Sequence, residues 1–264
     1  MKTNPVRAAL KAGQPSVGTW LALPNTTFAG LLSTTGFAWL TVELEHSPAT
    51  MATAADCFAI IAASGCVPLA RVPWNTEENI KRVLDTGAWG VVVPMIRTRA
   101  EAEAVVRAAR YRPAGERSVG GQLHAASFGT DAATYIARAN EEILVVLMAE
   151  HIDCIANIDE ILSVPGIDAV FLGPNDLHAS MGLVPCFESD HPQFLDAVHK
   201  VFESARRHGV APGIHVATAE AARRRLDERW QMVAVASEIG LMLDKVSESL
   251  ASLGLGAAGP LAKY

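Results

Sequence analysis

Short apolar runs, each ending in polar or proline residues, alternate with helix-period patterns along the chain. The runs fall at 17–23, 39–46, 67–73, 90–96, 143–150, 168–174, 211–216 and 232–238. A helical pattern follows each of them, so the sequence predicts eight strand–helix units with parallel strands. Two helix starts carry their own signal: Asn75-x-x-Glu78 and Thr98-x-x-Glu101 pair a side-chain acceptor with a reciprocal acid. Two stretches break the rhythm. Residues 112–130, rich in Gly, Pro and Ser, are long for a barrel connection and are expected to form an active-site loop, the bland alternative being a surface excursion. Residues 182–192 are expected to cover the same mouth.

With 264 residues, half of them hydrophobic, the chain can bury one large core without disulfides or a structural metal. The expected architecture is therefore α/β: a single-domain (β/α)8 TIM barrel spanning 1–264. Gly254-x-Gly256-x-x-Gly259 spells a dinucleotide loop but has no strand before it, and it is set aside.

The charge balance changes the list of partners. With 28 acidic against 22 basic residues and a net charge of −6, no basic run could track a phosphate backbone, and Arg223–Arg225 reads as a solvated helix face. Nucleic acid is not an expected partner. Neither a signal-type apolar core nor a membrane-length stretch is apparent, which gives a cytoplasmic, non-membrane expectation. Cys57, Cys66, Cys154 and Cys186 lack zinc-site or disulfide-framework spacing and are expected to be reduced thiols.

Catalytic groups of such barrels come from the C-terminal strand ends. Those ends are polar here: Glu43-Leu44-Glu45-His46, Arg71, Glu150 and Phe171-Leu172-Gly173-Pro174-Asn175-Asp176. Glu150 and Asp176 suit a hard divalent cation, Mg2+ or Mn2+, that prefers oxygen ligands, although each alone would read as a loop or capping carboxylate. His46 can move a proton near neutral pH, whereas the other seven histidines read as hydrogen-bonded surface or core residues. Arg71 ends an apolar strand and must face an acid or an anionic substrate, with a structural pair to Glu43 as the alternative. Lys2, Lys11, Lys81, Lys200, Lys245 and Lys263 all lie off the strands, so a Schiff-base route has no nucleophile and metal-assisted enolization remains.

Several segments together resemble the HpcH/HpaI aldolase family of metal-dependent class II pyruvate aldolases: Gly36-Phe-Ala-Trp-Leu40, Glu45-His46, Arg71-Val-Pro, Leu84-Asp85-x-Gly87-Ala88, Val93-Pro94-Met95, Arg110-Tyr-Arg-Pro113 and Phe171-Leu-Gly-Pro-x-Asp-Leu177. The resemblance covers nearly the whole chain. It implies Glu150 and Asp176 as metal ligands, Arg71 as the enolate-stabilising group, and His46 with Asp85 as a base dyad. Backbone N–H groups around Gly173, Pro174, Asn175 and Asp176 would receive the substrate carboxylate, and Trp20 and Met148 join the substrate-binding set. The resemblance further implies a divalent cofactor, with Co2+ a third candidate, and a homohexamer with an exchanged C-terminal helix. The chain departs from the family pattern at Glu43-Leu44, where Asp-Gly is common, at Met148, where glutamine is common, and at His124, where arginine is common. Losing the amide at 148 removes a donor and an acceptor near the keto acid.

The expected activity is reversible aldol cleavage and condensation of a 2-oxo acid with an aldehyde, through a pyruvate-type enolate. Oxaloacetate decarboxylation or macrophomate-synthase-like use of the same enolate is the nearest alternative. A non-catalytic metabolite-binding barrel is the alternative from another class.

Overall fold

A computed structural model describes residues 1–256. Eight strands alternate with helices in it: β1 Ser16–Leu21, β2 Trp39–Glu43, β3 Val67–Arg71, β4 Gly90–Val93, β5 Leu144–Ala149, β6 Ala169–Leu172, β7 Ala211–Val216 and β8 Met232–Ser237. Neighbouring strands pair in parallel, and β8 closes on β1 to complete a (β/α)8 barrel. The strands are apolar runs rather than alternating ones because both faces are covered, one by the barrel interior and the other by helices. Closure requires Gly18, where a Cβ would lie 2.1 Å from the Trp39 ring. Across the β1–β8 seam the register shifts between Gly18 and Trp20, and Ala236 takes a left-handed φ of 48°.

Every strand but β7 stops one to three residues short of its expected C-terminal end. The polar tails leave the ladder because side chains supply their partners: Glu43 Oε1 accepts the N–H groups of Glu45 at 2.7 Å and His46 at 3.2 Å. The tail after β4 includes Met95 at a φ of 56°.

Helix starts follow side-chain caps. Thr98 and Glu101 form the expected capping box. The helix Glu77–Asp85 is capped by Thr76, whose hydroxyl accepts from Asn79 N, and not by Asn75. The threonine lies one residue nearer to the free N–H groups.

Residues 112–130 do not form an active-site loop of this chain. They follow the helix Arg99–Ala109 and precede β5, so they connect a helix to a strand at the N-terminal face. Lys2 N donates to Phe128 O at 2.8 Å, and Trp89 Nε1, just ahead of β4, donates to Ser127 Oγ at 2.9 Å. Residues 182–192 do approach the mouth, where Phe187 sets its ring edge-on to His215 at 4.8 Å between centroids. Arg223 and Arg224 are exposed on the helix Ala219–Asp227, as a solvated face requires, and Arg225 is partly covered. The terminal helix Glu238–Ser252 buries only Glu238 and presents Leu241, Met242 and Val246 outward. Among the described residues no helix is long and apolar enough to cross a membrane. Gly259 and Lys263 lie outside the described residues.

Candidate active site

At the C-terminal end of the barrel a cavity opens over an aromatic floor. Phe171 meets Trp20 and Trp39 edge-on, with centroids 5.8 and 6.5 Å away. Trp20, Glu43, His46, Arg71, Met148, Glu150, Gly173, Pro174, Asn175 and Asp176 line the cavity. The barrel therefore brings together every candidate from the strand ends.

Arg71 and Glu43 occupy opposed positions on β3 and β2, and Arg71 Nε donates to Glu43 Oε2 at 2.6 Å. The structural pair thus exists, yet it does not remove Arg71 from the cavity. The guanidinium lies 4.9 Å from the Trp20 ring centroid, and Nη1 sits 3.9 Å from Met148 Sδ. Glu45 Oε2 lies 3.4 Å from Arg71 Nε, and Glu45 Oε1 lies 3.7 Å from His46 Nε2. Burial pushes Glu45 up to about 7, against the pull of Arg71, with Glu43 and Asp176 adding to the rise.

Glu150 is 2% exposed. Its Oε1 accepts from Met95 N at 2.7 Å, while the buried Oε2 has no hydrogen-bond partner. Burial raises its pKa to about 8, with Arg71 opposing and Asp176 and Glu45 adding. Gly173 makes this arrangement feasible, because a Cβ there would lie 2.6 Å from Glu150 Oε2. Asp176 enters from the short helix Pro174–Ser180, which has no side-chain cap. A bare carboxylate oxygen facing a cavity shared with a second acid fits a hard cation. Among the described residues no group of three or more His, Cys, Asp or Glu is placed to hold a metal ion.

Asp85 does not join His46 within one chain. It ends the helix Glu77–Asp85, which returns to the N-terminal face ahead of β4, and its Oδ1 accepts from Arg117 Nη2 at 2.6 Å. His124 lies beside it, with Nδ1 3.4 Å from Asp85 O. His46 stands at the opposite end of the barrel, with its side chain 44% exposed.

Among the lining residues that escaped the sequence reading, two carry polar side chains, His215 and Ser237. The sequence places His215 among the histidines that carry no chemistry. Both sit near C-terminal strand ends, so the rule that selects Arg71 and Glu150 would also select them.

The family model for HpcH/HpaI aldolase/citrate lyase matches residues 16–244. A 4-hydroxy-2-oxo-heptane-1,7-dioate aldolase of Escherichia coli is 38% identical over 249 residues, covering 94% of each chain. Among solved structures, an HpcH/HpaI aldolase/citrate lyase family protein from Burkholderia cenocepacia J2315 superposes with a TM-score of 0.88 at 30% identity, covering 96% of this chain and 100% of that one. A citrate synthase, SbnG, superposes at 0.84 with 25% identity, over 94% of this chain and 96% of that one.

Proposed function

The chain belongs to the HpcH/HpaI aldolase/citrate lyase family, and from that premise we propose that it is a carbon–carbon lyase that cleaves and forms 2-oxo acid aldols through a pyruvate-type enolate. The observation that carries the reading is the unpartnered Glu150 Oε2, buried beside Arg71 and sharing one cavity with Asp176. Glu150 and Asp176 would hold a divalent cation, Mg2+, Mn2+ or Co2+. When bound, that ion supplies charge compensation for the acids and polarises the keto group.

Arg71 faces the developing enolate oxygen, and Glu43 fixes its orientation. The first-turn N–H groups at Asn175 and Asp176 receive the substrate carboxylate, since no side chain caps that helix. His46 exchanges the proton at the pyruvate methyl carbon, and the exposed edge of its ring gives that proton a route to water. A His46–Asp85 dyad requires two copies of the chain, because these residues occupy opposite faces of one barrel. The outward Leu241, Met242 and Val246 provide an apolar contact for such an assembly. We take the working form to be a homo-oligomer, a hexamer by family resemblance, and the protein to act in the cytoplasm.

Deuterium exchange at the pyruvate methyl, followed by NMR with added Mn2+, tests the reading without an aldehyde. The wild-type protein should exchange, chelation should abolish exchange, and His46→Ala should slow it about a hundredfold. Full exchange after exhaustive chelation rejects the metal assignment, and unaltered exchange in His46→Ala rejects the histidine. Oxaloacetate decarboxylation without aldol cleavage would move the assignment to the decarboxylase alternative.

A further inference from the structure

At the end of the barrel opposite the mouth, three helices run out into β1, β7 and β8, which are neighbours in the closed sheet. They are Pro5–Lys11, Pro192–His208 and Ala219–Asp227, and all three close in the same way. The N–H groups of Gln14, Val210 and Trp230 reach back to the carbonyls of Ala9, Ala205 and Arg225, at 2.9 Å in each case. The residue ahead of each donor is left-handed, with φ of 72° at Gly13, 67° at Gly209 and 75° at Arg229. Two of the three are glycine, the residue that such a turn favours. Arg229 carries a side chain at the third and bears the backbone strain that comes with it.

A cleft of about 500 Å3 lies among these three endings, and Lys11, Arg206 and Arg229 line it without any carboxylate. Among the described residues none of the three makes an ion pair. Their neighbours on the same helices do, Arg207 donating to Asp159 at 2.6 Å and Arg225 to Glu228 at 2.8 Å. The helix dipole alone favours a cation near each ending. It does not account for this set, because backbone N–H groups already occupy the carbonyls named above, and Gln231 Nε2 donates to Leu10 O at 3.1 Å. A dipole would also be served by an arginine in an unstrained position of the last turn. The chain as a whole carries a net charge of −6, so three uncompensated cations in one concavity run against its prevailing sign. The volume falls in the range of small-molecule sites, roughly 300–1,000 Å3.

We propose that this cleft is a second binding site, remote from the mouth, for a small polyanion carrying phosphate or carboxylate groups, with Arg229 as its strained anchor. Guanidinium groups present paired donors that fit the oxygens of either group, and the lysine adds a point charge. The inference goes beyond the lyase reading and stands independently of it.

Calorimetric titration of metal-free protein with inorganic pyrophosphate, ADP and citrate, at low ionic strength and without chelator, tests the site. At least one of the three should bind with a dissociation constant below about 1 mM, and more weakly as salt is raised. Binding of pyrophosphate or ADP identifies a phosphate source, and binding of citrate alone a polycarboxylate. Arg229→Gly should weaken that binding about tenfold, as loss of a charged hydrogen bond does. It should also raise the unfolding midpoint, because glycine takes the left-handed backbone without strain. Arg206→Gln should weaken binding by a similar factor and leave the midpoint near wild type. No binding by any of the three anions overturns the inference, as does unchanged affinity in both variants. A lower midpoint in Arg229→Gly overturns it too, since that arginine would then belong to the fold.

Discussion

Buried charge collects at both ends of this barrel, and the two clusters are finished differently. At the N-terminal end Asp168 uses both oxygens: Arg7 Nε donates to one at 2.8 Å, and Arg110 Nη2 and Val145 N donate to the other, each at 2.9 Å. Arg110 also donates to the carbonyls of Asn140, Ile143 and Gly166. At the mouth, Glu45 Oε2, Glu150 Oε2 and Trp20 Nε1 are buried without a hydrogen-bond partner. Leaving such an atom unpaired costs about 1–3 kcal/mol, more for a charged group, so a cluster that serves only folding is expected to be complete. The contrast separates a cluster whose acceptors are filled from one whose acceptors stand open.

Breaking the finished cluster should have the largest effect. Asp168→Asn removes the negative charge between two buried arginines and should lower stability by about 3–5 kcal/mol in denaturant titration. Methyl exchange per folded molecule should be retained. A loss below about 1 kcal/mol, within the range of an exposed ion pair, would remove the distinction between the two ends.

The mouth should respond in rate rather than in stability. Arg71→Lys keeps a cation for Glu43 but loses the planar donor array, and should slow pyruvate methyl exchange by about 3 kcal/mol in transition-state terms. The unfolding midpoint and the Mn2+ affinity should stay near wild type. Wild-type exchange would reject the enolate role, and collapse of the fold would make Arg71 the counterpart of Arg110.

What the sequence made legible follows the same division. The barrel was readable because each apolar run must be covered on both faces, and the meeting of Arg71, Glu150 and Asp176 in one cavity was readable because strand ends share the mouth of a barrel. Spatial relations across the barrel were not. Residues 112–130 read as an active-site loop through length and composition alone, but which face a connection lies on depends on whether it precedes or follows a strand. Asp85 was paired with His46 by family pattern, and topology puts them at opposite ends. His215 was passed over because a lone histidine carries little signal until its neighbours are known, and here those neighbours are Trp20, Phe187 and the Ala236 carbonyl.

The smallest predicted effect carries the opposite sign to Asp168→Asn. In metal-free protein Glu150 is held by burial at a pKa of about 8 against the ordinary 4.5. A group with a raised folded pKa lends its full stability below the unfolded value and loses it as pH rises through the folded one. Metal-free wild type should therefore weaken between about pH 5 and pH 9 relative to Glu150→Gln, whose amide carries no charge anywhere in that window. The amide oxygen of that variant can still accept from Met95 N, and Glu45, also raised by burial, titrates in both proteins and largely cancels in the difference. The gap should reach on the order of 2 kcal/mol in favour of the glutamine variant at the alkaline end. Adding Mn2+ at about a hundred times its dissociation constant should then stabilise wild type by about 2.7 kcal/mol and leave the variant nearly unmoved. A Glu150→Gln protein that is less stable than metal-free wild type across the whole range would show that the carboxylate is part of a finished structural cluster, like Asp168, and not an acid waiting for a cation.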